Sequence, residues 1–327
     1  MDSIDKSILN ALQFEFPIVV RPFLSIADAV GIPEEEVLER IARLKRKKIV
    51  RQIGAIFDSS RIGYHGGLVA FKVPARQLNT VALQVNAHPG VSHNYVRAGD
   101  LNLWFTLTVP SERDLKKEAA ALARRAGIRE WLFLPTIRKF KIGFQLDMGG
   151  NGRVAAAHKP SRASLRRFAV NRSFVRELQK DLPLLPRPFG PAAKALGWTE
   201  GKVARELKRY IGSGAIRRVA AVLRPVNAGF PANVLAVWAP EKDHITRLGR
   251  IAASWKNVSH CYERPTFPNW PYSVYAMIHG HSIAECRKVV RSISRESGVR
   301  DYRELATVKE YKKIRVEYFP DDGTAGR

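Results

Sequence analysis

Apolar residues at Ile4, Ile8, Leu9 and Leu12 keep the spacing of one helix face. The run Ile26-Ala27-Asp28-Ala29-Val30-Gly31 reads as a second, short helix that stops at its glycine. Pro33 opens a third helix with Glu34, Glu35 and Glu36 in its first turn, where a carboxylate suits the helix dipole. Val37, Ile41 and Leu44 form that helix's apolar stripe. Three helices with a glycine turn between the second and third describe a helix-turn-helix. From Ile49 the pattern alternates. Residues 49–50 with 53–57, 67–73, 91–96, 101–109 and 128–142 read as strands, and residues 76–87 and 112–126 as helices. From residue 67 onward the order strand, helix, strand, strand, helix, strand is the ferredoxin-like arrangement.

The pattern then repeats. Arg21-Pro22-Phe23 recurs as Arg187-Pro188-Phe189, an offset of 187 − 21 = 166. The same offset joins Gly31 to Gly197, Val37 to Val203, Arg51 to Arg217, Gly63 to Gly229 and Pro74 to Pro240. After one extra residue, Val91-Ser92-His93 meets Val258-Ser259-His260, and Tyr95 and Arg97 meet Tyr262 and Arg264. The expected fold is α+β: a tandem duplication of a helix-turn-helix domain followed by a ferredoxin-like domain, forming an internal pseudo-dimer. Its parts are residues 1–48 and 49–148 in copy one, a basic and partly flexible linker at 149–173, residues 174–214 and 215–320 in copy two, and a tail at 321–327.

Charge changes the picture more than composition does. Lys and Arg number 55 against 30 Asp and Glu, a formal +25, which asks for a polyanionic partner. No apolar run is long enough to span a bilayer, and the N-terminus does not read as a secretory signal. Cys261 and Cys286 are too few for a disulfide framework, so a reducing cytoplasm is the expected setting. No nucleotide- or metal-binding motif stands out.

The repeated His-x-Tyr-x-Arg string carries the candidate chemistry. Residues two apart on a strand share a face, so His93, Tyr95 and Arg97 should point together, as should His260, Tyr262 and Arg264. Imidazoles supply protons near neutral pH, and guanidinium forks hold carboxylates. The plainer reading of such a histidine is a satisfied core residue beside a tyrosine. Arg51 and Arg217 are further candidate carboxylate ligands, or merely solvated strand-end charges. His279 is a third candidate acid; Trp270, Tyr272 and Tyr275 offer flat surfaces. The loop Pro265-Thr266-Phe267-Pro268-Asn269-Trp270-Pro271, present only in copy two, reads as a possible lid.

A helix-turn-helix followed by a ferredoxin-like module resembles the leucine-responsive and asparagine-operon regulators. Finer strings narrow this: Arg-Pro-Phe, Gly54-Ala55-Ile56-Phe57, Ser92-His93-Asn94-Tyr95 and Leu103-Trp104-Phe105-Thr106 in copy one, and Ala221-Val222-Leu223-Arg224, Ser259-His260-Cys261-Tyr262-Glu263-Arg264-Pro265 and Tyr275-Ala276-Met277-Ile278-His279-Gly280 in copy two. These resemble the two subunits of the siroheme decarboxylase family, here fused. The resemblance implies removal of two acetate carboxyl groups from siroheme, at ring carbons C12 and C18, in haem or d-type haem formation. It implies no required cofactor, since the iron enters with the substrate; His260 or His93 as an axial ligand to that iron remains an open alternative to an acid role. It also implies siroheme as partner, no specific nucleic acid, no membrane, and leaves a higher oligomer open. The competing readings are a DNA-binding regulator of the same fold and a non-catalytic tetrapyrrole-binding protein. Glu34, Glu35 and Glu36 at the end of the helix that would meet DNA argue against the regulator.

Overall fold

The computed structural model describes residues 1–143, 169–224, 227 and 229–320. Most of the linker expected at 149–173, and the tail, lie outside the described residues. The chain forms two compact units, each built from both copies: one from Met1–Gly63, Gln145–Ala228 and Glu317–Arg327, the other from Tyr64–Phe144 and Gly229–Val316.

The first unit holds both helix-turn-helix parts. Copy one supplies α1 (Ser3–Phe14), α2 (Pro22–Val30) and α3 (Glu34–Arg46); copy two supplies α6 (Arg172–Leu178), α7 (Gly190–Leu196) and α8 (Glu200–Gly212). Gly31 and Gly197 end α2 and α7 in the left-handed region, at φ 73° and 63°, where a side chain would be strained. The repeated Arg-Pro-Phe string has a structural role in both copies. Phe23 and Phe189 are fully buried, and Arg21 and Arg187 pair with Glu34 and Glu200 in the first turn of the next helix.

Among the described residues, strands β1 (Val50–Phe57) and β7 (Ile216–Leu223) form a two-stranded antiparallel sheet, from Val50↔Leu223 to Phe57↔Ile216. The boundaries expected at residues 49 and 215 assign them to the ferredoxin-like domains; they group instead with the helical parts. Edge pairing satisfies their backbone groups equally well, and the apolar period of a strand does not name its neighbour.

The second unit is a nine-stranded sheet of order β5-β2-β4-β3-β11-β8-β10-β9-β6. Copy one contributes β2 (Tyr64–Phe71), α4 (Leu78–Asn86), β3 (Val91–Arg97), β4 (Leu103–Pro110), α5 (Leu115–Arg125), β5 (Trp131–Pro135) and β6 (Arg138–Ile142). Copy two contributes β8 (Ala232–Trp238), α9 (Ile245–Ser254), β9 (Val258–Glu263), β10 (Val274–Gly280), α10 (Ile283–Ser297) and β11 (Tyr302–Lys313). The strand expected over residues 128–142 is interrupted at Thr136–Ile137: β5 pairs with β2 of its own copy, and β6 crosses to β9 of the other. In the same way β11 pairs with β8 through Tyr302–Ala306, then with β3 through Thr307–Lys313. Each copy thus closes the sheet of its counterpart.

Two apolar clusters, one per copy, lie where the helices pack on their strands, and a third is shared by both copies. Trp104, Leu134, Trp270, Tyr272, Tyr275 and Leu305 belong to the third.

Candidate functional site

Alternation in β3 sends Val96 into the helix-side cluster and His93, Tyr95 and Arg97 to the opposite face. The rings of His93 and Tyr95 lie 6.2 Å apart, and the Arg97 guanidinium sits 5.1 Å from the centre of the Tyr95 ring. Copy two repeats the arrangement, with His260 and Tyr262 at 6.1 Å and Arg264 5.0 Å from the Tyr262 ring. The spacing His-x-Tyr-x-Arg therefore produces one mixed polar face per copy. The histidines and tyrosines are half-buried, whereas the arginines are buried.

The two arginines reach across to the other copy. Arg97 donates from Nη1 to the Leu305 carbonyl at 3.1 Å and to Thr307 Oγ1 at 3.0 Å. Arg264 donates from Nη1 to the Leu134 carbonyl at 2.5 Å, with Thr136 Oγ1 at 3.4 Å. Both Nε atoms are buried without a hydrogen-bond partner among the described residues. Burial lowers the pKa of both guanidinium groups, that of Arg97 to about 10. Among the described residues neither has a carboxylate partner, so each is a buried cation held by neutral acceptors.

Each histidine stands beside a serine displaced from the regular ladder. In β3 the register passes from Val91↔Leu107 to His93↔Thr106, leaving Ser92 as the extra residue. In β9 it passes from Val258↔Ile278 to His260↔Met277, leaving Ser259. Such bulges re-aim side chains and concentrate near active sites. Ser92 Oγ lies 3.0 Å from His93 Nδ1 and 2.8 Å from Thr106 Oγ1. Ser259 Oγ lies 2.8 Å from His260 Nδ1 and 3.0 Å from His279 Nε2. His279 therefore joins His260 in one polar cluster. Desolvation first, then the charges of His260, Lys313 and Arg97, depress the His279 pKa to about 3, which keeps the ring neutral near neutral pH. Arg97 of copy one thus belongs to the neighbourhood of copy two's histidine pair.

The copies are unequal. His93 has Lys313 as its cross-strand neighbour, whereas His260 has Ile142. Lys313 was not among the sequence candidates; only the crossover of β11 brings it to His93. The serines were also missed, because a serine beside a histidine carries no period of its own.

Other candidates lie elsewhere. Arg51 and Arg217 belong to the β1–β7 pair in the first unit, where Arg217 makes an ion pair with Asp58 at 3.0 Å. Trp270, Tyr272 and Tyr275 are buried in the shared cluster. Trp270 donates from Nε1 to the Tyr275 hydroxyl at 2.6 Å and packs on Trp104, so these rings are already covered by protein. The Pro265–Pro271 loop is closed on itself by Phe267–Trp270 backbone bonds and anchored by buried Trp270.

Comparison with known proteins agrees with this architecture. Residues 5–51 and 171–217 match the siroheme decarboxylase NirDL-like HTH domain, and residues 61–141 and 227–312 match the AsnC-like ligand binding domain. A siroheme decarboxylase from Hydrogenobacter thermophilus is 38% identical over 316 residues, covering 96% of this chain and 95% of that protein. The siroheme decarboxylase alpha subunit of Desulfovibrio desulfuricans is 39% identical over 149 residues, covering 45% of this chain and 86% of the subunit. A crystal structure of the siroheme decarboxylase NirDL in complex with an iron-uroporphyrin III analogue superposes with a TM-score of 0.74 at 35% identity, covering 98% of this chain and 95% of that one. With both halves and nearly the full length matched, the chain belongs to the siroheme decarboxylase family of carboxy-lyases, in its fused form.

Proposed function

We propose that this chain decarboxylates siroheme, removing the acetate carboxyl groups at C12 and C18 to give didecarboxysiroheme for haem or d-type haem biosynthesis. The observation that carries this reading is the repeated face on which a half-buried histidine and tyrosine adjoin a buried arginine that has no carboxylate partner among the described residues. A relative's complex with an iron-uroporphyrin analogue supports a tetrapyrrole as ligand. Siroheme is a polycarboxylate, and Arg97 and Arg264 are suited to receive its acid groups.

In each decarboxylation the bond between the acetate methylene and its carboxyl carbon breaks. The electron pair stays with the methylene carbon, delocalised into the macrocycle, carbon dioxide leaves, and one proton completes a methyl group. The protein must therefore bind carboxylates and deliver a proton to carbon. His260 and His93 are the proposed donors. No further cofactor is proposed; the iron arrives as part of the substrate.

Anaerobic incubation with siroheme, followed by mass spectrometry of the tetrapyrrole, tests the reading. Loss of two carboxyl groups is expected from the wild-type chain. His260→Ala should reduce turnover by roughly 10²–10⁴-fold, the usual contribution of a positioned acid, while far-ultraviolet circular dichroism stays native. Tight binding of siroheme with no change in mass would identify a tetrapyrrole carrier instead.

A further inference from the structure

We infer that Lys313 is a substrate-binding residue: its ammonium holds a carboxylate of the substrate on the face that carries His93, a contact for which the other copy has no counterpart. The inference rests on the decarboxylase reading for the identity of the ligand. The placement of the lysine rests on strand register.

Lys313 comes from copy two but stands opposite a copy-one histidine. The end of β11 runs along β3 with Thr307 opposite Arg97, Glu310 opposite Tyr95 and Lys313 opposite His93. Residues directly opposite on paired strands share a face. Simple alternation would send Glu310 and Lys313, an odd number of residues apart, to opposite faces. The register shift between Glu310 and Lys312 leaves Tyr311 as an extra residue and changes the phase. Tyr311 packs against the helix-side cluster, and Lys312 donates from Nζ to the Asn86 carbonyl of α4 at 2.7 Å. Lys313 is thereby returned to the side of Glu310, and the two charged groups approach to 3.7 Å. The bulge delivers to the His-Tyr-Arg face a cation that an unbroken strand would have turned towards the helices. The charge of Lys313 also reaches the histidines of copy two: it depresses the His279 pKa, after desolvation and His260.

Lys313 is more accessible than its neighbour Arg97. Arg97 is 3% exposed, whereas the Lys313 side chain is 31% exposed. Its contact with Glu310 is longer than a normal hydrogen bond, and the Glu310 side chain is itself 48% exposed. An ammonium on a flexible stem has three protons, so it can turn one to an incoming carboxylate while staying near Glu310. Strand β6 of copy one builds the same bulge and delivers a different residue. Its register on β9 shifts between Lys139 and Lys141, Phe140 packs on the helix side, Lys141 donates from Nζ to the Trp255 carbonyl at 2.7 Å, and Ile142 arrives opposite His260. An alkyl chain offers a carboxylate nothing to pair with. The backbone device is duplicated and its chemistry is not: the frame that sets an ammonium beside His93 sets a hydrocarbon beside His260.

The test titrates the full chain with siroheme under anaerobic conditions, follows the absorbance of the macrocycle, and pairs this with steady-state turnover. Lys313→Met should raise Kd and KM about 5- to 20-fold, less than a fully buried charge-assisted contact would give, because water screens a part-exposed cation. kcat should stay within about threefold, as expected when the lost interaction is made equally in ground and transition states. Lys313→Arg, which keeps the charge, should recover most of the affinity. Lys288→Met removes the same charge from an exposed position of α10, on the helix side of the sheet, and should change neither constant. A Lys313→Met chain that binds siroheme as the wild type does overturns the inference. So does an equal loss in Lys288→Met, which would make the effect one of net charge, and so does a fall in kcat with KM unchanged, which would place the lysine in the chemistry and not in binding. If the wild-type chain binds siroheme but releases no carbon dioxide, the decarboxylase reading fails while the Kd comparison still decides the role of Lys313; if it does not bind siroheme, both fail.

Discussion

Arg97 and Arg264 carry an energetic cost that the fold alone does not recover. A guanidinium moved out of water needs a counter-charge or a full set of acceptors, and each of these has neutral acceptors and an unpartnered Nε. A carboxylate brought by the substrate would supply the missing counter-charge. Arg264→Met should therefore raise KM for siroheme about 10- to 100-fold, the equivalent of a charge-assisted hydrogen bond worth roughly 1.5–3 kcal/mol. The denaturation midpoint of the variant should be unchanged or higher, because an uncompensated charge has been replaced by an apolar chain of similar length. A clearly lowered midpoint would show that the guanidinium serves mainly to hold Leu134 and Thr136. His279 makes a second prediction. Its folded pKa of about 3 lies below the ordinary 6.5, so the unfolded chain binds the proton more readily. The associated stability is complete above pH 6.5 and is lost as pH falls towards 3, by at most about 1.4 kcal/mol per pH unit. Urea unfolding of wild type and His279→Gln at descending pH should show the wild type losing stability more steeply; parallel slopes would contradict the burial of this ring.

The strand crossover gives an element-scale test. On α9, Gly249 lies against the ring of Phe140, which belongs to β6 of the other copy, and a methyl group at Gly249 would overlap that ring. Gly249→Ala should push β6 off β9 and destabilise the sheet by about 1–3 kcal/mol, the usual range for overpacking. Adding Phe140→Leu should recover part of the loss, and denaturant titration of both variants would show it. Failure of any destabilisation would mean that β6 does not sit on α9. Elements were legible in the sequence where a period was sustained: the helix stripe of Val37, Ile41 and Leu44, and the alternation of His93, Tyr95 and Arg97, each describe one face that is found. Partners were not. No period says that Val50 should meet Leu223, or that the strand after Pro135 should leave its own copy, since edge groups accept any antiparallel neighbour. The bulges at Ser92 and Ser259 were invisible for a related reason: a bulge is a mismatch between two strands, and one strand's sequence holds half of it. Trp270, Tyr272 and Tyr275 are suited by composition to a ligand or to a core, and the Trp270–Tyr275 hydrogen bond settles them in the shared cluster.

At the scale of the molecule, the +25 charge and the paired helix-turn-helix parts suggest nucleic acid, but much of the charge on α3 is already engaged. Arg40 pairs with Asp2, Asp5 and Glu36, and Arg43 pairs with Asp5. Binding to duplex DNA should be weak, without a sequence-defined footprint, and should decay steeply with salt, as phosphate-only contacts do. A footprint that survives high salt would reopen the regulator reading. The last prediction follows from how each unit is made. Strand β1 pairs with β7 of the other copy; β6 completes the sheet of copy two, and the end of β11 completes that of copy one. A half expressed alone exposes at least three strand edges that the intact chain covers, and exposed edges recruit other chains. Cutting the chain within residues 149–168, outside the described residues, should leave each half aggregated or associated with copies of itself. Co-expression of the two halves should restore a soluble one-to-one complex that elutes with the intact chain on size exclusion and decarboxylates siroheme. The fusion would then supply effective concentration, with the shared strands supplying the fold. Two halves that each remain monomeric and folded would show that the crossed strands are dispensable, and the duplication would be a linkage of independent domains.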